Sequence, residues 1–186
     1  MSAQVVLNLI KEKNIEWVDF RFVGLSGKAQ HISLPAVEVE EETFTSGVAF
    51  DGSSIPGFRG IEQSDMVMLP VPETAYVDPF TAHPTLIIMC DIYTPEGERY
   101  DRDPRGIAQK AEEYLKSSGV GTDAYFGPES EFFIFDDVRF SSGMNKTFYE
   151  VDSEEAAWNT GRSEEGGNLG FKVPVKGGYV PVQPID

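Results

Sequence analysis

The sequence predicts an α+β fold, and three stretches carry that reading. Val5, Val6, Leu7 and Ile10 recur at helical spacing and make a short amphipathic helix, closed by Lys11-Glu12-Lys13-Asn14. Val18, Phe20 and Phe22 alternate with Asp19 and Arg21, a strand with one buried face, and Gly24-Leu25-Ser26-Gly27 turns it into an antiparallel partner over residues 28–34. The run Thr85–Tyr93 is apolar without polar alternation, as expected of a central strand covered on both faces. With 186 residues, 40% hydrophobic and 12% aromatic, the chain has the length for a real core and one or two domains.

The remaining elements follow in order. Residues 37–42 read as a short acidic helix. The segment Phe50-Asp51-Gly52-Ser53-Ser54-Ile55-Pro56-Gly57-Phe58-Arg59-Gly60 reads as a loop, and residues 66–71 as a strand. Thr94-Pro95-Glu96-Gly97-Glu98-Arg99 is a turn-rich polar linker that divides the chain into domains 1–98 and 99–186. Beyond it Asp103 is an N-cap with Pro104 at the first helical position. Ile107, Ala108, Ala111, Tyr114 and Leu115 share one helical face, Glu112 can pair with Lys116, and Gly119 ends the helix. Phe126-Gly127-Pro128-Glu129-Ser130-Glu131-Phe132-Phe133-Ile134-Phe135 reads as a strand, and residues 141–168 as a long polar surface excursion. The last residues, from Lys176 onward, contain no terminating helix or strand, so the chain is expected to stop in mid-domain.

Charge narrows the function classes. Fifteen Lys plus Arg against 31 Asp plus Glu leave a net charge of -16, which repels phosphate backbones and anionic membranes and attracts divalent cations, or simply confers solubility. Nucleic acid and membrane are therefore not expected partners. Cys90 is the only cysteine, so no internal disulfide is possible and a reducing, cytoplasmic compartment is expected. No segment approaches the length of a membrane span, and the N-terminus lacks the pattern of a signal peptide.

Glu129 and Glu131 carry the sharpest chemical signal. Alternation along a strand puts both carboxylates on one face, roughly 6 to 7 Å apart at the backbone. No Lys or Arg nearby in sequence shares that face, and Phe133 and Phe135 continue it as apolar. Two readings stand: two hard divalent cations, one leaning to each carboxylate, or solvated glutamates at an exposed strand end. A glycosidase pair fits poorly, because its acids flank a bond from opposite sides. No P-loop, dinucleotide fingerprint or zinc motif occurs, and His31 and Cys90 read as structural. The loop at Asp51 is rich in glycine and therefore either mobile or held for a purpose; as Ser53-Ser54-Ile55-Pro56-Gly57 does not alternate like a hairpin strand, a ligand-facing loop is favoured.

Four blocks, taken together, resemble the type I glutamine synthetase family. They are Phe50-Asp51-Gly52-Ser53-Ser54 with Gln63-Ser64-Asp65 and Met68; Asp103-Pro104-Arg105; Gly127-Pro128-Glu129-Ser130-Glu131-Phe132-Phe133; and Lys176-Gly177-Gly178-Tyr179. The resemblance spans essentially the whole chain. It implies a β-grasp-like N-terminal domain followed by the truncated start of a catalytic domain built on an open antiparallel sheet with helices. It also implies ATP-dependent ligation of ammonia to glutamate through γ-glutamyl phosphate, with two or more Mg²⁺ or Mn²⁺ ions per site. The assembly it implies is a dodecamer of stacked hexameric rings, with sites between neighbouring subunits.

Carried over by position, Glu129 and Glu131 resemble ligands of two different metal ions. Asp51 resembles the acid that binds ammonium and takes its proton in the next subunit's site, with Ser54 beside it. Tyr179 resembles an aromatic residue lining that site, and Asp65 one that meets a flap over the substrate. Phe58 stands where a tryptophan is common in the family, and Ser130 where proline or alanine is frequent. Family members are much longer, so the 186 residues alone are expected to be an inactive fragment. The competing readings are an acidic assembly module without chemistry, and a ligase that makes γ-glutamyl amines from another acceptor.

Overall fold

The computed structural model describes residues 1–153. The chain divides into two compact units, Met1–Tyr125 and Phe126–Asp186.

The first unit is built on one mixed sheet. Helix α1 (Ala3–Glu12) buries Val6 and Ile10 and leaves its other face in solvent. Its chain reversal uses Asn14 at φ 50°, a left-handed conformation that asparagine tolerates. Strands β1 (Trp17–Val23) and β2 (Ala29–Pro35) form the expected hairpin, with Trp17 opposite Pro35 and Val23 opposite Ala29. Ala36 and Val39 both turn inward, a spacing of three that suits the 3-10 turn Ala36–Glu38. That turn and the short helix α2 (Thr43–Ser46) replace the acidic helix expected over residues 37–42.

Strands β3 (Val48–Asp51) and β4 (Asp65–Pro70) pair antiparallel. After the two-residue strand β5 (Tyr76–Val77) comes β6 (Thr85–Tyr93). The sheet runs β2-β1-β6-β4-β3, with β5 also on β6. Thus β6 is central, as its apolar run without polar alternation predicts; it lies parallel to β1 and antiparallel to β4. One face packs Val18, Phe20, Phe22, Met66, Met68, Leu86, Ile88 and Ile92 with the α1 residues Val6 and Ile10 into the core.

The opposite face holds charge. Asp19, which alternates with the core residues of β1, is only 4% exposed. Arg21 (2.6 Å), His31 (2.5 Å) and Ser33 (2.7 Å) close over its carboxylate. Helix α3 (Pro104–Ser117) begins at the Asp103 cap and carries the Glu112–Lys116 pair at 2.7 Å, both as expected. Its apolar residues Ile107 and Tyr114 remain exposed among the described residues.

In the second unit, β7 (Asp137–Ser142) and β8 (Thr147–Asp152) form an antiparallel hairpin where a surface excursion was expected from residue 141. The cross-strand pairs Val138 with Val151 and Phe140 with Tyr149 explain it: isolated aromatics in a polar stretch find partners across a turn. Residues 126–135, expected as a strand, carry no strand hydrogen bonding. Phe133 and Phe135 nevertheless stack with ring centroids 6.1 Å apart, the arrangement of alternate residues on one side of an extended backbone. Such a segment becomes a strand only beside a hydrogen-bonded neighbour, and none pairs with it among the described residues.

Candidate functional site

The site grows from the sheet edge. β3 ends at Asp51, β4 begins at Asp65, and the loop of residues 52–64 joins them. At its start the backbone crosses closely over β4: Gly52 donates its N–H to the Ser64 carbonyl at 2.6 Å. A Cβ on Gly52 would lie 2.4 Å from Sδ of the buried Met66 and 3.1 Å from the Ser64 carbonyl oxygen, so a side chain there needs rearrangement beneath it.

The 3-10 turn Gly52–Ser54 then folds the chain back onto the acid. The N–H and Oγ of Ser53 donate to Oδ1 of Asp51 at 2.8 and 2.6 Å, and Oγ of Ser54 donates to Oδ2 at 3.2 Å. Asp51 is itself exposed. The Ser53 hydroxyl, followed by its N–H, holds the Asp51 carboxyl below the usual carboxylate range, because these donors stabilise the anion. The result is a fixed negative charge at the end of a strand, facing solvent.

The glycine-rich loop is held rather than mobile. Phe58 is 2% exposed. Its ring belongs to a chain of aromatic contacts, Phe50–Phe22 at 5.1 Å, Phe22–Phe58 at 5.9 Å and Phe58–Tyr100 at 5.1 Å. The Tyr100 hydroxyl donates to the Phe58 carbonyl, and Arg102 donates to the Gly57 carbonyl at 3.0 Å. The return of the loop borders a cavity of about 620 Å³ whose wall includes Asp65, Glu62, Glu96 and Arg59. Asp65 is therefore placed beside an open, mainly acidic cleft.

Glu129 and Glu131 belong to the second unit and are exposed. Among the described residues no hydrogen bond or ion pair engages either carboxylate, and no group of three or more His, Cys, Asp or Glu is arranged to hold a metal ion. Tyr179 lies outside the described residues. Sequence reasoning singled out Asp51 and Ser54 but missed Ser53, which makes the shorter contacts; the Asp-x-Ser spacing, in which an acid bonds the backbone two residues on, is the signal that marks it. Tyr100 and Arg102 were also missed, and no local pattern connects them to residues 57 and 58.

Two family models match in series: glutamine synthetase, beta-Grasp domain, over residues 14–95, and glutamine synthetase, catalytic domain, over residues 101–186. A glutamine synthetase of Azotobacter vinelandii is 54% identical over 181 residues, covering 97% of this chain and 39% of the relative. A Cupriavidus pinatubonensis protein named 3-hydroxylaminophenol mutase is 52% identical over 186 residues, covering 100% of this chain and 40% of its own. The cryo-EM structure of Plasmodium falciparum glutamine synthetase superposes with a TM-score of 0.68 at 26% identity, covering 100% of this chain and 37% of that one. The chain thus spans about 40% of the length of curated relatives that it matches.

Proposed function

This chain belongs to the glutamine synthetase family, and we propose that the full-length protein joins ammonia to glutamate with ATP. In that reaction the γ-carboxylate attacks the terminal phosphorus of ATP, releasing ADP and forming an acyl phosphate. Ammonia then adds to the acyl carbon, phosphate leaves, and glutamine results. The observation that carries the reading is Asp51: an exposed carboxylate kept ionised by Ser53 and Ser54 on a loop locked to the sheet.

Such a group suits ammonium. Capture requires a negative charge presented rigidly, so that no reorganisation is needed when the cation arrives. The lowered carboxyl makes Asp51 a weak base, so its main contribution is electrostatic concentration and orientation of ammonium, and its carboxylate takes the ammonium proton as the freed ammonia is drawn off by attack on the acyl phosphate. Tyr179 would line the same site, and Asp65, beside the acidic cleft, would meet a covering segment.

The donor set at Glu129 and Glu131 fits hard divalent cations, since both are oxygen ligands without a competing ion pair among the described residues. Mg²⁺ or Mn²⁺ held there would neutralise phosphoryl oxygens during transfer. Two carboxylates do not complete two coordination shells, so the 186 residues alone are expected to lack synthetase activity. The same proposal includes a domain boundary between residues 98 and 99, cytoplasmic residence, and a dodecamer in which Asp51 serves a neighbouring subunit's site. No helix among the described residues is long and apolar enough to cross a membrane.

The test uses the full-length protein. Asp51→Asn should raise the ammonium requirement at least tenfold while leaving ATP binding intact, and Glu129→Gln or Glu131→Gln should weaken Mn²⁺ binding by calorimetry. Unchanged ammonium kinetics in the Asp51 variant, or no glutamate- and ammonia-dependent ADP release from the unsubstituted protein, would overturn the reading.

A further inference from the structure

The Asp51 loop is tied to the sheet at two places, and the second of them lies far away in sequence. At its ends it is held by the β3–β4 ladder and by Gly52 on Ser64. Across its middle it bonds to itself, Ile55 to Gly52 and Phe58 to Ile55, which closes turns but fixes nothing to the body of the protein. Apart from the Phe58 ring, which packs into the core against Phe22, the external hold is polar and comes from residues 100 and 102. Their side chains donate to the adjacent carbonyls of Phe58 and Gly57.

The base from which Tyr100 reaches is rigid. After β6 the chain turns through Gly97 at φ +85° and folds back: Thr94 donates to the Glu98 carbonyl at 2.8 Å and Tyr100 donates its N–H to Ile92 at 2.9 Å. Next to it Arg99 is pinned by Asp91 at 2.6 Å and Asp103 at 2.8 Å. Tyr100 is 4% exposed, with Phe58 against its ring and the Arg59 guanidinium 5.2 Å from its centroid. This return falls at the join between the two family matches, which end at residue 95 and resume at 101.

We propose that Tyr100 is a positioning residue for ammonium capture: with Arg102 it forms a strut from the end of the central strand to Phe58 and Gly57, and so holds the loop that presents Asp51. The strut acts through the backbone and touches no substrate. Burial raises the Tyr100 phenol, so the hydroxyl keeps the proton that it donates. The functional half of this inference rests on the reading of Asp51 given above; the mechanical half does not.

Tyr100→Phe keeps the ring against Phe58 and deletes the donor, while Arg102→Ala removes the other donor from an exposed position that cannot collapse the core. Both are made in the full-length protein. Loss of a hydrogen bond of ordinary net worth predicts roughly five- to tenfold faster hydrogen exchange at the amides of Gly52, Ile55 and Phe58. Exchange in β1 and β6 should not change. The ammonium KM should rise by a similar factor with kcat altered less than about twofold, and Arg102→Lys should recover part of the loss. Unchanged exchange in both variants overturns the strut. Faster exchange with an unchanged ammonium KM overturns the positioning role. If the unsubstituted protein makes no glutamine, the functional reading fails and the exchange rates alone decide the strut.

Discussion

Asp51, the last residue of β3, lies directly opposite Asp65, the first residue of β4. Two like charges at paired strand positions repel. The structure answers by giving Asp51 its own donors, Ser53 and Ser54, and by leaving both acids exposed to water. The strand ends thus present paired negative charge at the sheet edge, beside the acidic cleft that Asp65 borders.

Ser53→Ala tests how far the clamp sets that charge. The hydroxyl is the leading cause of the lowered Asp51 carboxyl, so its removal lets the carboxyl rise toward its ordinary value. Because the anion is the capturing form, ammonium use in the full-length variant should begin to fail at a higher pH on the acid side than in the unsubstituted protein. The pH profile of the ammonium KM measures this, and an unmoved acid limb would contradict it.

Asp103 joins three elements at once. It caps α3 through the Arg105 N–H at 3.1 Å, accepts from the Ile92 N–H of β6 at 3.1 Å, and pairs with Arg99 at 2.8 Å, all while 1% exposed. Asp103→Ala removes the cap and leaves donors unpaired around an apolar side chain, at a cost of about 3 to 5 kcal/mol. Denaturant unfolding should show a large fall in the midpoint, whereas the exposed Glu112→Ala should shift it little.

Acid should destabilise the first unit through Asp19 and Asp91. Burial pushes both carboxyls up, but hydrogen bonds from His31, Ser33 and Arg21 to Asp19, and from Arg99 and Arg105 to Asp91, together outweigh it and leave both lowered. A carboxyl lowered by folding adds stability that is present above its unfolded value, about 4, and is lost as pH falls through the folded value. Unfolding midpoints should be nearly flat from neutrality to about pH 5 and fall below it. Asp19→Asn should be less stable at neutral pH and show a shallower acid decline.

Cys90 sits in the core on β6 at 1% exposure, and burial drives its thiol up to about 12. The thiolate is the reactive form, so native protein should resist alkylation at neutral pH and react only as fast as the sheet opens. Labelling measured across denaturant should follow the unfolding curve; rapid labelling without denaturant would show that β6 is more accessible than its packing indicates.

Some of this was written locally in the sequence. Asp103-Pro104 and Gly119 mark the ends of α3, and the apolar run Thr85–Tyr93 identifies the central strand, because caps and periodicity act over a few residues. The blocks around Asp51, Glu129 and Tyr179 sufficed to identify the family. Tertiary structure decided the rest. Only the β1–β2 register, with Asp19 opposite Ser33, sets His31 and Ser33 over the Asp19 carboxylate, and only the return of the chain after β6 brings Tyr100 to Phe58. The Tyr100–Phe58 contact joins residues far apart in sequence, whose proximity depends on the assembled sheet and leaves no periodic trace in either segment. The stretch at Glu129 shows the reverse: an alternating pattern states what a strand would present, but hydrogen bonds from a neighbour decide whether it becomes one.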